Sequence, residues 1–174
     1  MHLPTPVRYT LLAGAVIGTP AGAAELRLGI EIPTLTVAEY HRPYVAIWIE
    51  SADQKFVDNL AVWYDVKMRN QEGEKWLKDM RQWWRKSGRE LTFPIDGVTS
   101  ATRAPGQQQI SFSSTQGALA KLAPGSYEVV IEATREVGGR ELLRMPFSWP
   151  AAAAQSATTQ GEHELGKVTL AVTP

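Results

Sequence analysis

The chain has 174 residues, of which 18 are Lys or Arg, 18 are Asp or Glu and none is Cys. This balance of charge argues against a nucleic-acid-binding protein, which needs a strongly basic surface. The absence of cysteine excludes disulfides, iron–sulfur clusters, zinc–thiolate sites and cysteine nucleophiles.

The first two dozen residues have the features of a signal peptide. Arg8 gives a positive start, residues 11–17 are apolar, and Ala21-Gly22-Ala23 forms a cleavage site of the A-x-A type. The apolar stretch is much shorter than the ~20 residues that span a bilayer. We therefore predict a cleaved signal peptide over residues 1–23, a periplasmic location, and a mature chain that does not span the membrane. Residues 24–174 suit one domain with a full hydrophobic core.

The mature chain begins with short segments typical of β-strands. Residues 26–32 alternate apolar and polar side chains, and residues 44–50 and 56–64 are rich in β-branched and aromatic residues. Further strands are predicted at 109–112, in the second part of 122–133, at 141–149 and at 165–172. Short strands separated by turns at regular spacing favour a mainly β fold, an immunoglobulin-like antiparallel β-sandwich.

One segment between the third and fourth predicted strands has helical periodicity. Its large apolar residues recur at the spacing of one helix face, and Gly88 follows as a C-terminal cap. We predict one inserted amphipathic helix over residues 74–87 whose opposite, basic face is solvated. Residues 150–161, rich in Ala, Ser, Thr and Gln, are predicted to form a flexible loop. The apolar stripe of the helix is Trp76, Leu77, Met80, Trp83 and Trp84.

The loop after the helix carries the most specific pattern in the chain. Residues 96–102 read D-G-V-T-S-A-T and resemble D-G-x-[ST]-G-A-[ST], the attachment motif of covalently flavinylated electron-transfer domains. In those proteins a flavin transferase joins FMN through a phosphoester bond to the hydroxyl of the last residue, which corresponds here to Thr102. Ser100 departs from the motif, which has glycine there, and glycine adopts left-handed backbone more readily than serine. The residues that this resemblance places at the cofactor are Asp96, Thr99, Ser100, Ala101, Thr102 and Arg103.

A wider resemblance covers most of the mature chain. Residues 40–50, 76–85, 96–106 and 132–136 are together similar to the DUF2271 family of predicted periplasmic proteins. This resemblance implies company with flavin transferases and PepSY-type membrane proteins, and hence electron transfer outside the cytoplasm. The aromatic side chains expected nearest the flavin ring are Tyr44, Trp48 and either Trp83 or Trp84.

The sequence thus favours a flavin-carrying redox protein over an enzyme. It has no G-x-S-x-G nucleophile motif, and the distant His41 and His163 form no metal-ligand pattern. The loop residues 96–102 are also ordinary turn formers, so a cofactor-free immunoglobulin-like interaction or assembly module is the alternative. A small-molecule-binding domain of an envelope stress pathway is a third interpretation, for which the sequence indicates no ligand.

Overall fold

The computed structural model describes residues 23–174, and residues 1–22 of the expected signal peptide lie outside this part. Within it, two β-sheets pack face to face. The strands are β1 (Glu25–Ile32), β2 (Tyr44–Ser51), β3 (Phe56–Tyr64), β4 (Thr99–Ala101), β5 (Gly106–Ser113), β6 (Gly125–Thr134), β7 (Arg140–Trp149), β8 (Gln155–Gln160) and β9 (Lys167–Thr173). The helical elements are 3₁₀ segments at Arg69–Asp79 and Gly88–Glu90, and the short helices α1 (Arg81–Lys86) and α2 (Gly117–Ala120).

The four-stranded sheet has the order β5-β1-β9-β8, and the five-stranded sheet has the order β4-β3-β2-β6-β7. All neighbouring strands are antiparallel except β3 and β4, which run parallel. The predicted mainly β sandwich is therefore confirmed. In residues 23–174, no helix combines the length and the apolar character needed to cross a membrane.

The main core lies between the two sheets, because alternate residues of each strand point inward. Its buried members include Leu28 and Ile30 of β1, Ile47 of β2 and Ile131 of β6. A second core lies on the outer face of the five-stranded sheet, under the helical segment 69–86. The fully buried members of this outer core are Ala46, Trp48, Val62, Leu77, Met80, Trp83 and Val130.

The predicted single helix over 74–87 is corrected to two short elements. A 3₁₀ segment ends at Asp79, and α1 begins at Arg81, because the backbone of Met80 (φ −76°, ψ 71°) leaves the helical region. The carboxylate of the buried Glu132 accepts hydrogen bonds from the free backbone N–H groups of Gln82 and Trp83 at 3.1 and 2.8 Å. This buried carboxylate provides acceptors for the first N–H groups of α1, which have no partner within the helix. A new helix therefore begins at Arg81, although the apolar periodicity of the sequence continues through Met80.

Two predicted loops contain strands. Residues 150–161 were expected to be flexible, but Gln155–Gln160 form β8 and pair with β9. Ala157 is the single apolar residue of β8, which explains why the composition of this segment indicates a loop. Likewise, Thr99–Ala101 of the expected loop 96–106 form β4 at the edge of the five-stranded sheet.

Candidate functional site

A cleft of about 560 Å³ opens at one end of the five-stranded sheet. There β3, β4 and β6 end and β2 begins, so four strands deliver their terminal residues to one place. The volume lies within the range of small-molecule and cofactor sites. The residues that line the cleft are Tyr40, His41, Arg42, Tyr44, Asp65, Lys67, Met68, Trp76, Asp79, Ala101, Thr102, Thr134, Arg135 and Glu136.

Thr102, the predicted attachment residue, lies in this cleft. Its backbone N–H donates to the carbonyl oxygen of Tyr64 at 3.2 Å, which fixes it directly after β4 and beside the end of β3. Its side chain is half-buried, and within residues 23–174 its hydroxyl has no hydrogen-bond partner. The backbone of Thr102 is therefore fixed by a hydrogen bond, whereas its side-chain hydroxyl forms none within the described part of the chain.

The rest of the motif builds the turn that leads to Thr102. Gly97 has φ +71°, a left-handed conformation that glycine adopts without strain. The hydroxyl of Thr99 accepts a hydrogen bond from the backbone N–H of Ile95 at 2.9 Å and closes this turn, whereas Asp96 is exposed. The Thr99 hydroxyl is thus already engaged in local structure.

Ser100 occupies extended backbone, not the left-handed conformation that a glycine would favour. It pairs with Trp63 in the parallel β3–β4 register and is absent from the described non-glycine residues with positive φ. The substitution of Ser for the glycine of the motif therefore causes no backbone strain here. Arg103 lies with its guanidinium carbon 5.2 Å from the centroid of the Trp63 ring, and its Nη2 donates to the Ser100 hydroxyl at 3.4 Å. Both side chains belong to the sheet edge, and neither lines the cleft.

Of the aromatic residues expected near a ring cofactor, only Tyr44 lines the cleft. Trp48 and Trp83 are fully buried in the outer core, and Trp84 packs on Trp83 with 6.2 Å between ring centroids. Tyr44 begins β2, and its ring centroid lies 6.2 Å from that of Tyr64. Burial raises the pKa of the Tyr44 hydroxyl, so this side chain stays neutral and can both donate and accept a hydrogen bond.

Sequence analysis missed the cleft residues that come from other segments. Tyr40, His41 and Arg42 precede β2, and Arg135 follows β6. His41 lies between two carboxylates, with Nε2 2.9 Å from Glu39 and Nδ1 3.4 Å from Glu136. The pairing of β2 with β6 brings these segments together, and no local sequence pattern reports that pairing.

Two buried polar atoms in the lining of the cleft lack partners within the described residues. Arg135 is paired through Nε and Nη2 with the buried carboxylate of Glu164, at 2.9 and 3.2 Å, but its Nη1 has no acceptor. The hydroxyl of Tyr40 is also buried and unpartnered, and burial raises its pKa. Buried donors without acceptors are uncommon and costly, so these two atoms lower the local stability at this end of the sheet.

The cleft has no metal-binding arrangement, since no group of three or more His, Asp or Glu that could hold an ion occurs in residues 23–174.

Residues 25–167 match the family described as "Predicted periplasmic protein (DUF2271)". The match covers more than half of the chain, so the chain belongs to this family. The family description confirms the predicted periplasmic location. No curated protein and no solved structure matches the chain.

Proposed function

We propose that this member of the DUF2271 family is a periplasmic flavin-carrying electron-transfer protein, with FMN esterified to Thr102. The observation that carries the proposal is that the acceptor of the motif, Thr102, lies in the cleft and not on an outer loop. The other hydroxyls of the motif are differently placed: that of Thr99 closes a turn and that of Ser100 lies at the sheet edge. One hydroxyl of the motif therefore combines exposure to the cleft with freedom from a local partner.

The residues around Thr102 fit an FMN group in their chemistry. Tyr44 and Trp76 supply aromatic surface, and Arg42 and Lys67 supply positive charge for a phosphoester. An esterified flavin would supply the redox chemistry, while the chain positions it and sets its environment.

The attachment step uses the Thr102 hydroxyl as the nucleophile. Its oxygen attacks the flavin-side phosphorus of a flavin dinucleotide held by a flavin transferase. One phosphorus–oxygen bond forms to Thr102, and the pyrophosphate bond to the nucleotide breaks. The nucleoside monophosphate leaves with the electron pair, and the hydroxyl proton passes to a base of the transferase. A covalent link suits a periplasmic carrier, because a loosely bound flavin would be lost by diffusion.

The test is the intact mass of the protein after co-expression with a flavin transferase in a periplasm. We expect an added mass of one FMN less one water, which is lost in Thr102→Ala and kept in Thr102→Ser. Ser100→Ala is the matched control, because it removes a neighbouring hydroxyl that lies outside the cleft. Fragmentation of the tryptic peptide spanning residues 90–103 then locates the modified oxygen. An unmodified mass, with a transferase active on another substrate, would overturn the proposal and leave the cofactor-free interaction module as the better account.

The membrane partner has a separate test. We propose that electrons pass between the flavin and a PepSY-type membrane protein. Under anaerobic conditions, membrane vesicles that contain such a protein and are supplied with a quinol as electron donor should bleach the flavin absorbance of the loaded protein, because the quinol is oxidised to the quinone as its two electrons reduce the flavin to the hydroquinone. Vesicles that receive the same quinol but lack the PepSY-type protein should not. Equal bleaching by both kinds of vesicle would remove the PepSY-type protein as the partner without affecting the site of attachment.

A further inference from the structure

Exposed apolar side chains are concentrated beside the cleft. Trp76 is 44% exposed and Met68 39% exposed, and both line the cleft, while Val66 of the same segment is 41% exposed. Trp76 is the one aromatic residue among the large exposed apolar side chains of residues 23–174. These side chains are Val37, Val57, Val66, Met68, Trp76 and Val137.

The exposure of Trp76 is not required by the packing of the fold. Leu77 in the 3₁₀ segment and Met80 at the backbone break are fully buried and hold the helical segment on the sheet. Trp76 is absent from both core clusters, whereas Trp48, Trp63 and Trp83 are almost completely buried. A tryptophan left outside the core beside a cleft is typical of a surface that contacts a ligand.

The segment that carries Trp76 starts at the point where Thr102 is fixed. The Thr102 N–H is hydrogen-bonded to Tyr64, and the chain then runs through Val66 and Met68 into the 3₁₀ segment that holds Trp76. Gly73 keeps this segment close to the sheet, because a Cβ there would overlap the carbonyl oxygen of Asp65. An apolar wall and the attachment hydroxyl therefore share one cleft.

We propose that Trp76, together with Met68, forms the wall on which the flavin ring packs. This inference rests on the proposed function and adds a residue that no motif indicated. A tricyclic ring is planar and apolar on its faces, so it gains from contact with an indole ring and a thioether. Trp76 positions the ring, and Thr102 holds the phosphate end.

The experiment compares flavin emission in the loaded protein and its variants. An indole in contact with a flavin quenches its fluorescence, so Trp76→Ala should raise the emission per bound flavin toward that of free FMN. Trp76→Phe keeps an aromatic face and should give an intermediate value. The matched control is Trp84→Phe, which alters a half-buried tryptophan outside the cleft and should leave the emission unchanged. Mass spectrometry on the same samples gives the flavin content.

The outcomes separate this inference from the proposed function. Equal flavin content with unchanged emission in Trp76→Ala would overturn the role of Trp76 and leave attachment at Thr102 intact. If no flavin is attached to the unaltered protein, the proposed function fails, and titration with free FMN then decides the role of Trp76. A dissociation constant for FMN that is about three- to tenfold higher in Trp76→Ala would support the apolar wall, because this change corresponds to the loss of one aromatic contact. Absence of binding, or equal binding by the variant, overturns it.

Discussion

Glu50 is a carboxylate buried completely under the helical segment, and its removal is expected to cost more than any surface charge. It accepts hydrogen bonds from Trp48 Nε1 at 2.7 Å and from Arg144 Nη1 at 2.8 Å, and it pairs with Lys86 Nζ at 2.9 Å. Lys86 belongs to α1 and Arg144 to β7, so this one side chain joins the helical segment to two strands.

The size of the effect follows from what Glu50→Ala leaves behind. Two partly buried cations lose their shared anion, and an indole N–H loses its acceptor. Breaking a buried ion pair in this way costs about 3–5 kcal/mol of the free energy of unfolding. Glu50→Gln keeps one acceptor oxygen but removes the charge, and we expect it to cost about 1.5–3 kcal/mol, the value of a hydrogen bond to a charged group. These are large fractions of the ~5–15 kcal/mol that stabilises a domain.

The matched control is Glu128→Gln. Glu128 accepts from the same Arg144 Nη1 at the same 2.8 Å, but its side chain is 25% exposed, whereas that of Glu50 is 0% exposed. Because the Glu128–Arg144 pair is partly solvated, we expect its loss to cost about 1 kcal/mol, the upper end of the range for surface pairs. Urea unfolding at pH 7 should therefore show a much lower midpoint for Glu50→Gln than for Glu128→Gln, with unchanged slopes. A difference between the two variants below about 0.5 kcal/mol, within the scatter of surface substitutions, would refute the reasoning.

The pH dependence gives a second check. Burial raises the pKa of Glu50, but the hydrogen bonds from Lys86, Arg144 and Trp48 outweigh it and lower the pKa below its ordinary value. A carboxyl whose folded pKa lies below its unfolded pKa adds stability that is complete above the unfolded value of ~4.3. That stability is lost as the pH falls through the folded value. The gap between the unaltered protein and Glu50→Gln should therefore narrow as the pH is lowered below ~4.

Three further changes test other parts of the fold. Glu141 accepts hydrogen bonds from the four backbone N–H groups of residues 162–165, and these bonds lower its pKa although burial raises it. Glu141→Gln should therefore lower the free energy of unfolding, measured in urea at pH 7, by about 1–3 kcal/mol. This loss should become smaller as the pH falls below ~4. Gly73→Ala should destabilise the chain by about 1–3 kcal/mol, since its Cβ would overlap Asp65, and a thermal melt together with a shifted tryptophan emission should report it. Glu132→Ala should cost about 1–3 kcal/mol for each of the two amides of α1, those of Gln82 and Trp83, that lose their buried acceptor. It should also reduce amide protection from hydrogen exchange in α1 more than in the distant β1–β9 pair.

Most strands could be predicted from the sequence because their side chains alternate or are continuously apolar. The predicted range 56–64 coincides with β3, and the other six predicted strands lie within a few residues of the observed ones. β8 was missed because five of its six residues are Ser, Thr or Gln, so it carries no local apolar signal and its strand structure depends on pairing with β9. Local periodicity reports which face of a strand is apolar, but it is silent on the partner that pairs with the strand.

The helical segment shows the same limit at the site itself. A continuous 3.6-residue period from Trp76 to Trp84 places Trp76 on the buried stripe, together with Leu77 and Met80. The break at Met80 changes that placement, and it is stabilised by Glu132, a residue 52 positions along the chain from Met80. The local motif indicated Thr102, which the fold places in the cleft. The break that separates Trp76 from the stripe of α1 is accompanied by long-range hydrogen bonds to Glu132, which no local pattern encodes. A residue that belongs to a local motif can be predicted from the sequence. The other residues that line such a cleft can be identified only from the structure, because strand pairing brings them together.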